Sequence, residues 1–449
     1  MGNEPDEEQQ MIHMLTNSNE FDLEGLIAVT GKYLRTDPQP ELFIKLINAY
    51  EKVVDNLKKH ADGWPEPKYL RSIVKAGQSG YGIDDVGKGK SSPGSKLLVD
   101  AITNEDPRPI WVVVNAGSNT LAQALVDLKA KRSPEEMDAF VAKLRVFENG
   151  SQDNAGSWIC ANFPKIHWIR SNYQTYCYGG PSNNILGPYV WEPHPYSVKG
   201  HLAWEREHIM NNHGALGDIY PIRQLEWNKL LLFHEGGGTI PWLGLVNKGL
   251  FSIDHPEWGG WAGRFTATKV KNFWSRHADI KVDEERDAPF YVYREASDTW
   301  TDPVSNIRYS DDHTPVWRWR RAQWNNQKCR MDWCVKDWEE ANHHPKAAFG
   351  SNRADGIIRL TASVDETIEL NADRSRDMDG DLLSFHWWMY REAGTFTGEL
   401  DIEDPRAVQT SVTIPSSAHG KQIHIILEVE DDNEIAPLTD YRRIVIDVE

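Results

Sequence analysis

The chain has 449 residues, of which 40% are hydrophobic and 26% are charged, as in an ordinary globular protein. This length predicts two or three domains. The formal net charge of −18 argues against a nucleic-acid partner and against an anionic membrane, since both are bound through clustered lysine and arginine. No apolar run approaches the roughly 20 residues that a membrane-spanning helix needs.

The acidic N-terminus, GNEPDEE at 2–8, has two interpretations. Its carboxylates are suited to the first turn of a helix, where the helix dipole favours negative charge. They are equally suited to a cluster at the rim of a buried sheet, where acids bind a cation or carry out proton chemistry. These residues alone leave both interpretations open.

Strand and helix patterns alternate through the first half of the chain. Strands are predicted at 23–30, 144–149, 165–171 and 229–235, helices at 6–17, 40–60, 95–104 and 133–144, and a strand, a small-residue turn and a helix follow one another over 110–128. The helix at 133–144 opens with a capping box, Ser133 and Glu136, and has Pro134 in its first position. This alternation predicts an α/β domain with parallel strands and helices on both faces.

The pattern changes after about residue 350, where short strands and turns predict an all-β sandwich of roughly 100 residues. DMDGD at 377–381 predicts a tight turn between strands rather than a calcium loop, because Asp and Gly favour turns by themselves. The predicted domains are 1–310 for the α/β domain, 311–348 for a tryptophan-rich connector with a helix around MDWCVKDWEEANH, and 349–449 for the sandwich.

The cysteines bear on disulfide and zinc sites, and the tryptophans bear on core packing and sugar contact. The four cysteines, Cys160, Cys177, Cys329 and Cys334, match neither a disulfide scaffold nor a zinc pattern, so packed thiols or at most one bridge are predicted. The 19 tryptophans cluster at 255–265, 316–324, 331–338 and 385–390, where they either form core or present flat faces to sugars. In VWRWRRAQW at 316–324, arginine stems packed on tryptophan faces are favoured over RNA binding.

Three polar turns follow predicted strands: NAGSNT at 115–120, ENGSQDN at 148–154 and HEGGGT at 234–239. In open α/β sheets, ligands bind beyond the carboxyl ends of the strands. Together with the acidic start, the turns predict one ring of polar side chains: Glu4, Asp6, Glu7, Asn115, Asn119, Asp153 and Glu235.

Longer motifs carry a family resemblance. The runs GNEPDEEQ, SNEFDLEGLIAVT, PIWVVVNAGSNTLAQAL and EWGGWAGRF resemble the nucleoside-hydrolase-like family first named as cellulose-binding proteins. NADRSRDMDGDLLSFHWWMYREAGTFTGEL and HIILEVEDDNEIAPLTDYRRI resemble that family's second, immunoglobulin-like domain. The resemblance implies a nucleoside-hydrolase-like α/β fold with a mostly parallel sheet, followed by an immunoglobulin-like β-sandwich. It also implies a secreted or periplasmic protein, although no signal peptide is visible.

The resemblance extends to the aspartate loop by which nucleoside hydrolases bind calcium and ribose and activate water. The last two acids of that loop correspond to Asp6 and Glu7, whereas its second aspartate corresponds to Gly2 and its first falls before Met1. GNEPDEE would then be the loop after the first central strand, and that strand would be absent. Asn115 takes the ligand-bearing position of the hydrolases' Thr-Gly-Gly turn, and HEGGGT offers Glu235 for a late aspartate. Calcium is the cofactor that the resemblance implies, with an incomplete set of ligands.

The sequence therefore predicts hydrolysis of the glycosidic bonds of a plant or algal glycan. Asp6, Glu7 and Glu235 are the predicted catalytic residues, and Asp6 and Glu7 are also the candidate calcium ligands. The predicted substrate-binding residues are Asn3, Glu4, Asn115, Asn119, Asp153, Trp258 and Trp261. The alternatives are a non-catalytic carbohydrate-binding protein, which the departures at Gly2 and Gly237 favour, and a true nucleoside hydrolase, which the broken aspartate set disfavours.

Overall fold

The computed structural model describes residues 5–171, 202–224, 231–232, 237–246, 249–250, 254–270, 290–303 and 305–449. The helices are α1 (Pro5–Leu15), α2 (Glu41–Tyr50), α3 (Val54–Leu57), α4 (Pro67–Ser72), α5 (Pro93–Thr103), α6 (Asn119–Lys129), α7 (Pro134–Lys143), α8 (Ala155–Asn162), α9 (Leu202–Glu205), α10 (Gly214–Asp218), α11 (Ile240–Leu243), α12 (Thr314–Trp317) and α13 (Arg320–Asp332). Within these ranges, no helix has both the length and the apolar character needed to cross a membrane.

The strands are β1 (Leu26–Ala28), β2 (Val74–Ala76), β3 (Ile110–Val114), β4 (Leu144–Asn149), β5 (His167–Ser171), β6 (Arg223–Gln224), β7 (Leu231–Leu232), β8 (Phe265–Val270), β9 (Phe290–Glu295), β10 (Asp298–Thr301), β11 (Arg308–Asp311), β12 (Ile358–Ala362), β13 (Thr367–Asn371), β14 (Leu383–Met389), β15 (Gln409–Thr413), β16 (Gln422–Asp431) and β17 (Thr439–Val448). Short 3₁₀ turns lie at Ser18–Glu20, Ile83–Asp85, Pro256–Trp258, Trp338–Glu340, Arg391–Ala393 and Ser416–Ala418, and a π-helical turn at Arg206–Met210.

A five-stranded sheet in the order β3-β4-β5-β9-β8 forms the centre of the first domain. β3, β4, β5 and β9 pair in parallel, and β8 joins the edge in the antiparallel direction. β1 and β2 form a separate parallel pair. The predicted α/β fold with a mostly parallel sheet is confirmed.

Burial explains why this sheet forms. β4 buries five of its six residues, as expected for a strand that is covered by helices on both faces. Apolar side chains of α6, α7 and α8 pack with it into one core, among them Leu125, Met137 and Ile159. The predicted capping box is also confirmed, because Ser133 Oγ accepts from the Glu136 N–H at 3.2 Å and the Glu136 carboxylate accepts from the Ser133 N–H at 2.8 Å.

Two predicted helices have different bounds in the structure. The continuous helix at 40–60 is wrong, since α2 ends at Tyr50 and α3 starts at Val54. Val53 takes φ −117° and ψ −15° between them, and Gly214 of α10 packs against its side chain. In the connector the long helix is α13, which ends at Asp332, the second residue of MDWCVKDWEEANH (331–343). The rest of that run holds only the 3₁₀ turn Trp338–Glu340.

The second domain is a β-sandwich, as predicted. One sheet has the order β12-β17-β16-β14, and β13 pairs with β15 in the other. β12 and β17 are parallel, whereas the remaining pairs are antiparallel. Buried side chains from both sheets meet between them, including Leu370, Val412, Ile425 and Ile444.

A buried polar network joins the two domains and the connector. Asp298 of β10 accepts from Arg264 Nε at 2.6 Å, from Arg318 at 3.3 Å and from the Tyr390 hydroxyl at 2.5 Å. Arg443 of β17 is fully buried and donates to the backbone oxygen of Gly259 at 2.9 Å. Since each partner comes from a different part of the chain, these contacts fix how the two domains meet.

Candidate functional site

The carboxyl ends of β1, β3 and β4 meet at one edge of the first domain. The Gly117 N–H donates to the Thr30 oxygen at 2.8 Å, so the turns after β3 and β1 touch. Gln152, after β4, donates through Nε2 to the Asn115 oxygen at 3.2 Å. The Asn119 N–H donates to Asp153 Oδ2 at 3.2 Å. Two of the three predicted turns therefore converge, and they bring Asn115, Asn119 and Asp153 together.

The third predicted turn reaches the same place. Asn115 donates through Nδ2 to the Gly238 oxygen at 3.1 Å. A Cβ added to Gly238 would lie 3.0 Å from that nitrogen, which explains the small residue at this point of HEGGGT. Asn115 Oδ1 is buried and accepts no hydrogen bond from the described residues. The amide oxygen is thus ready to accept from a ligand hydroxyl.

Three of the predicted site residues, Asn3, Glu4 and Glu235, lie outside the described residues. Asp6 and Glu7 are described, and their placement corrects one expectation. They occupy the first turn of α1, rather than a loop that leads up to a helix. Glu7 and Asn115 line the same cavity, which also extends along β3 to Arg108 at its amino end.

Among the described residues at this edge, Asp6 and Glu7 do not by themselves make a calcium site. Calcium takes six to eight oxygen ligands. Asp6 and Glu7 are consecutive on a helix and therefore point about 100° apart. Across the described ranges, the only cluster of three potential metal ligands is Asp377, Asp379 and Asp381, which is in the other domain. We therefore derive no chemistry through a metal here.

Asp153 supports the turns instead of facing a ligand, which corrects its predicted role. Asp153 is 2% exposed and accepts from the N–H groups of Asn119 and Ala155 at 3.2 and 2.9 Å. Burial raises the pKa of Asp153 to about 6, and the nearby Glu148 charge adds to this while the backbone N–H groups oppose it. Asn119 is fully buried and donates to the Gly80 oxygen at 2.9 Å, whereas its Oδ1, like that of Asn115, accepts no hydrogen bond from the described residues.

A buried ion pair beneath the edge was not predicted from the sequence. The guanidinium of Arg170, at the end of β5, is bonded to the Glu148 carboxylate, at the end of β4. Glu148 also accepts from Ser118 Oγ at 2.9 Å and from Trp168 Nε1 at 3.2 Å. The available signal was a pair of opposite charges, Glu148 and Arg170, one residue before the end of each of two neighbouring strands. Because Ser118 lies in the turn after β3, its bond to Glu148 anchors that turn to the ion pair on β4 and β5.

The loop after β1 adds an exposed aromatic residue, Tyr33, and the turn after β2 adds Tyr81, and both were also missed. The Lys32 N–H donates to Gln152 Oε1 at 3.2 Å, which ties this loop to the turn after β4. Tyr33 is 44% exposed. The Tyr81 hydroxyl donates to the Gln152 oxygen at 2.6 Å, and Arg35 lies 4.7 Å from the Tyr81 ring centre. Aromatic rings of this kind stack on sugars, and their position directly after a strand was the signal.

Trp258 and Trp261 do not serve as sugar platforms, contrary to the prediction. They are 4% and 1% exposed and lie in the domain interface. Trp258 stacks on His255 with ring centres 4.1 Å apart, and Trp261 packs edge-on against Tyr441 of the sandwich. The rings are used for the contact between domains.

Arginine and tryptophan pack together in VWRWRRAQW, as predicted. Arg318 lies 4.4 Å from the ring centre of Trp388, and Arg320 lies 5.0 Å from that of Trp324. A cavity of about 450 Å³ adjoins this cluster, between the connector and β14 and β16 of the sandwich.

The described cysteines, Cys160, Cys329 and Cys334, are free and buried, and burial raises the pKa of each thiol. Cys177 lies outside the described residues.

Comparisons with known proteins agree with this architecture. The family described as cellulose-binding Sde182, nucleoside hydrolase-like domain, matches residues 1–265. The C-terminal domain of the cellulose-binding protein Sde0182 matches residues 367–448. The chain belongs to the Sde182 family. The resemblance that the sequence motifs indicated is thus confirmed.

One solved structure is similar over the whole chain. It is a nucleoside hydrolase-related hypothetical protein from Saccharophagus degradans, described as associated with carbohydrate metabolism. It is 34% identical, the alignment covers 100% of this chain and 98% of that one, and the TM-score is 0.84. The Sde182 family member described here therefore shares both domains with it. None of the curated proteins matches.

Two other structures overlap only in part. An endo-fucoidan hydrolase of glycoside hydrolase family 107 aligns over 20% of this chain and 12% of its own, at 20% identity and a TM-score of 0.15. A PKD domain from human KIAA0319 aligns over 24% and 84%, at 11% identity and a TM-score of 0.18. Scores this low carry no argument about the Sde182 chain.

Proposed function

We propose that the chain binds a plant or algal glycan at the carboxyl edge of the sheet and hydrolyses its glycosidic bonds. The observation that carries this proposal is the meeting of three polar turns at Asn115, in a cavity that Glu7 of α1 also lines. The cellulose-binding description of the family and the carbohydrate association of the Saccharophagus protein support the choice of a glycan.

Each side chain at the edge has a proposed part in the reaction. Glycosidic hydrolysis needs a carboxylate that activates water or stabilises an oxocarbenium-like centre. We assign this part to Glu7, with Asp6 beside it in the same helical turn. Asn115 accepts from a sugar hydroxyl through its open Oδ1, and Tyr33 stacks on a sugar ring. Glu235 as a proton donor, and Asn3 and Glu4 as hydroxyl ligands, remain predictions.

The test compares the predicted catalytic carboxylates, Asp6 and Glu7, with Glu8 of the same helical turn by measuring the release of reducing sugar. Asp6→Asn with Glu7→Gln should abolish the release of reducing sugar from a panel of cellulose-derived, plant and algal oligosaccharides, while the protein stays folded and still binds glycan. Glu8→Gln is the matched control, since Glu8 lies in the same turn but pairs with Lys45 at 2.6 Å. Release that persists in the double variant, or that is lost equally in the control, contradicts the assignment.

A second candidate function is carbohydrate binding without catalysis. The engagement of Asp153 by the turns favours it, because it leaves one carboxylate fewer for chemistry. In this case the wild type would bind cellulose or another glycan in a pull-down and release nothing from any member of the panel. Nucleosides form the control class, and turnover of inosine or uridine alone would indicate a nucleoside hydrolase.

A further inference from the structure

The cavity of about 450 Å³ between the connector and the sandwich has no part in the reaction proposed for the sheet edge. It is lined by β14, β16 and β17 of the sandwich, by the connector from Arg318 to Ala322, and by residues at the end of β10. We call it the junction pocket. It shares no lining residue with the cavity at Asn115. Its volume is within the roughly 300–1,000 Å³ that is usual for small-molecule sites.

Two cross-strand rows of polar side chains line the junction pocket: His386, Glu428 and Tyr441 in one, and Ser384, Glu430 and Thr439 in the other. Residues two apart on a strand share a face, so both rows project from the same face of the sheet. Leu427 and Val429, which alternate with the two glutamates, are buried in the sandwich core. The pocket therefore lies on the outer, polar face of a sheet whose inner face is apolar.

One carboxylate of this face is used by the fold. Arg321 of the connector donates to both oxygens of Glu430, at 2.9 and 2.6 Å. Thr439 Oγ1 donates to the same carboxylate at 3.3 Å. The polar face of an antiparallel sheet is normally in contact with water, and here this ion pair holds the connector over it instead.

The other carboxylate keeps an oxygen for a ligand. Glu428 Oε2 lies 3.3 Å from His386 Nδ1, and their side chains are 28% and 34% exposed. Within the described ranges, neither Glu428 Oε1 nor His386 Nε2 has a hydrogen-bond partner. A carboxylate oxygen accepts from hydroxyl groups, and an imidazole nitrogen can also bond to one. Glu428 and His386 thus offer two polar atoms to a molecule in the pocket.

Two tryptophans of the junction pocket are only partly buried, unlike those of the segment 255–265. They are Trp300 of β10 and Trp388 of β14. Trp300 packs edge-on against Trp317 with ring centres 5.1 Å apart, and Arg318 lies 4.4 Å from the ring centre of Trp388. These contacts fix both rings while leaving part of each exposed. A fixed aromatic ring provides flat apolar surface at a low cost in conformational entropy, and the apolar face of a pyranose packs on such a surface.

We propose that the junction pocket binds a neutral sugar unit of a glycan, as a second carbohydrate site separate from the sheet edge, a proposal that rests on the glycan binding proposed above. Glu428 accepts from a sugar hydroxyl through Oε1, and His386 bonds to another through Nε2. The ring of Trp300 or Trp388 packs on the apolar face of the sugar.

The charges of the pocket favour a neutral sugar over an acidic one. Arg318 is already paired with Asp298 at 3.3 Å, and Arg321 is paired with Glu430. The side chain of Arg406 also lines the pocket, but this residue is exposed, and an ion pair in water contributes little. A carboxylate on the ligand would meet Glu428 without a buried cation to compensate for the repulsion.

The test measures binding to the full chain carrying Asn115→Ala, in which the edge site has lost its central amide. Cellotetraose and laminaritetraose are the neutral probes, tetragalacturonate is the acidic probe of the same length, and calorimetry measures each Kd. Two further substitutions are compared in this background. Glu428→Gln removes the charge at nearly constant shape, and Ser384→Trp fills the pocket from an exposed position. The matched control is Glu369→Gln, the same substitution at an exposed position of β13 in the other sheet.

At least one neutral probe should bind the Asn115→Ala chain. Glu428→Gln should weaken this binding by about tenfold, because a charge-assisted hydrogen bond becomes a neutral one. Ser384→Trp should abolish the binding, and Glu369→Gln should leave it unchanged. Thermal unfolding checks that each protein is folded, and if Ser384→Trp prevents folding, the comparison of Glu428→Gln with Glu369→Gln decides.

Equal affinities in Glu428→Gln and Glu369→Gln would overturn the proposal, and so would binding of the acidic probe alone. Loss of all binding in the Asn115→Ala chain, while the wild type binds, would also overturn it, since the sheet edge would then be the site for these sugars. Binding that depends on Glu428, in a wild type that releases no reducing sugar, would support the junction site and contradict the proposed hydrolysis. A wild type that binds no probe would contradict both.

Discussion

The carboxyl edge of the sheet and the interface between the domains are both rich in polar and aromatic side chains, but they use them differently. At the interface, Asp298 receives three donors, and Trp258 and Trp261 are almost fully buried. At the edge, Asn115 keeps an open amide oxygen and Tyr33 stays exposed. In this chain, abundant tryptophan marks the contact between domains, whereas the candidate site is marked by its position at the strand ends.

This difference has a physical origin. A buried carboxylate or guanidinium is tolerated only when its partners satisfy it, so interface groups are fully used by the fold. A ligand site must instead leave some donors and acceptors without protein partners until the ligand arrives. By this criterion Asp153 behaves like an interface residue, although it lies at the edge. The predictions below separate the two kinds of residue.

The largest loss of stability is expected from a substitution at the centre of the domain interface. Asp298→Asn leaves the guanidinium groups of Arg264 and Arg318 without a buried counter-charge, which should lower the free energy of unfolding by about 3–5 kcal/mol. Chemical denaturation measures this loss. Glu399→Gln is the control, because Glu399 pairs with Arg391 while its side chain is 89% exposed, and it should cost below about 0.5 kcal/mol. A loss of glycan affinity in folded Asp298→Asn protein would contradict the assignment of this network to structure alone.

The next largest effect on stability comes from the Asp153 carboxyl, and its size depends on pH. Its carboxyl has a pKa of about 6 in the folded chain, against about 3.9 for an unperturbed aspartate, because burial penalises the charged form. Below about pH 4 the carboxyl is protonated in both states, and above about pH 6 it is ionised in both. Between these limits the folded state holds the proton more tightly, so wild-type stability should rise as pH falls.

The measurement compares wild type with Asp153→Asn by denaturation between pH 7 and pH 4. The wild type should gain up to about 3 kcal/mol relative to the variant over this range, since each pKa unit corresponds to about 1.4 kcal/mol. The comparison with the variant cancels the titration of all other groups. A difference that stays constant, or that moves the opposite way, would show that Asp153 is not a buried structural carboxyl.

A smaller effect, on binding and not on stability, is expected at Tyr33. Removing its exposed ring should weaken glycan binding by up to about tenfold, as expected from an aromatic contact of about 0.5–1.5 kcal/mol. Tyr69→Ala is the matched control, because Tyr69 is 43% exposed and its hydroxyl donates to Leu23, at the amino end of β1. Calorimetry with the best ligand of the panel would decide, and equal losses in both variants would remove Tyr33 from the site.

The fold could be predicted largely from the sequence, because its signals are local. Alternating strand and helix patterns, the Ser133 and Glu136 capping box and the short strands after residue 350 each depend on neighbouring residues. The helix break at Val53 could not be predicted in this way, since it coincides with packing against Gly214, which is distant in sequence. β8 and β9 were missed for the same reason, because their pairing depends on long-range contacts.

The candidate site was predictable in part. The rule that turns after parallel strands meet at one edge was sufficient to bring Asn115, Asn119 and Asp153 together. It could not show which of them the fold itself would use, because that depends on individual hydrogen bonds such as those that reach Asp153. Nor could composition distinguish the buried Trp258 from the exposed Tyr33, since both are aromatic residues next to glycine and charge.

The smallest effect on stability is expected when calcium is added, because we predict that DMDGD is a turn. If it bound calcium, it would be a second polar site, in the sandwich. Asp377, Asp379 and Asp381 carry oxygens within 4.8 Å of one another. Protein donors already use at least one oxygen of each carboxylate: Asp377 Oδ1 accepts three backbone N–H groups at 2.8–2.9 Å, Asp379 accepts from the His343 N–H at 2.7 Å, and Asp381 accepts from Asn433 at 3.1 Å. A true site at a hundredfold excess over its Kd would add about 2.7 kcal/mol to the free energy of unfolding. We expect no measurable change between calcium and a chelator in thermal unfolding of the full chain.

The variant Asp379→Ala should lower the free energy of unfolding by about 1–3 kcal/mol under both conditions, because it leaves the buried His343 N–H with one acceptor fewer. A calcium response that this variant abolishes would show that the turn is a metal site, and that the sandwich as well as the sheet edge keeps polar groups for a ligand.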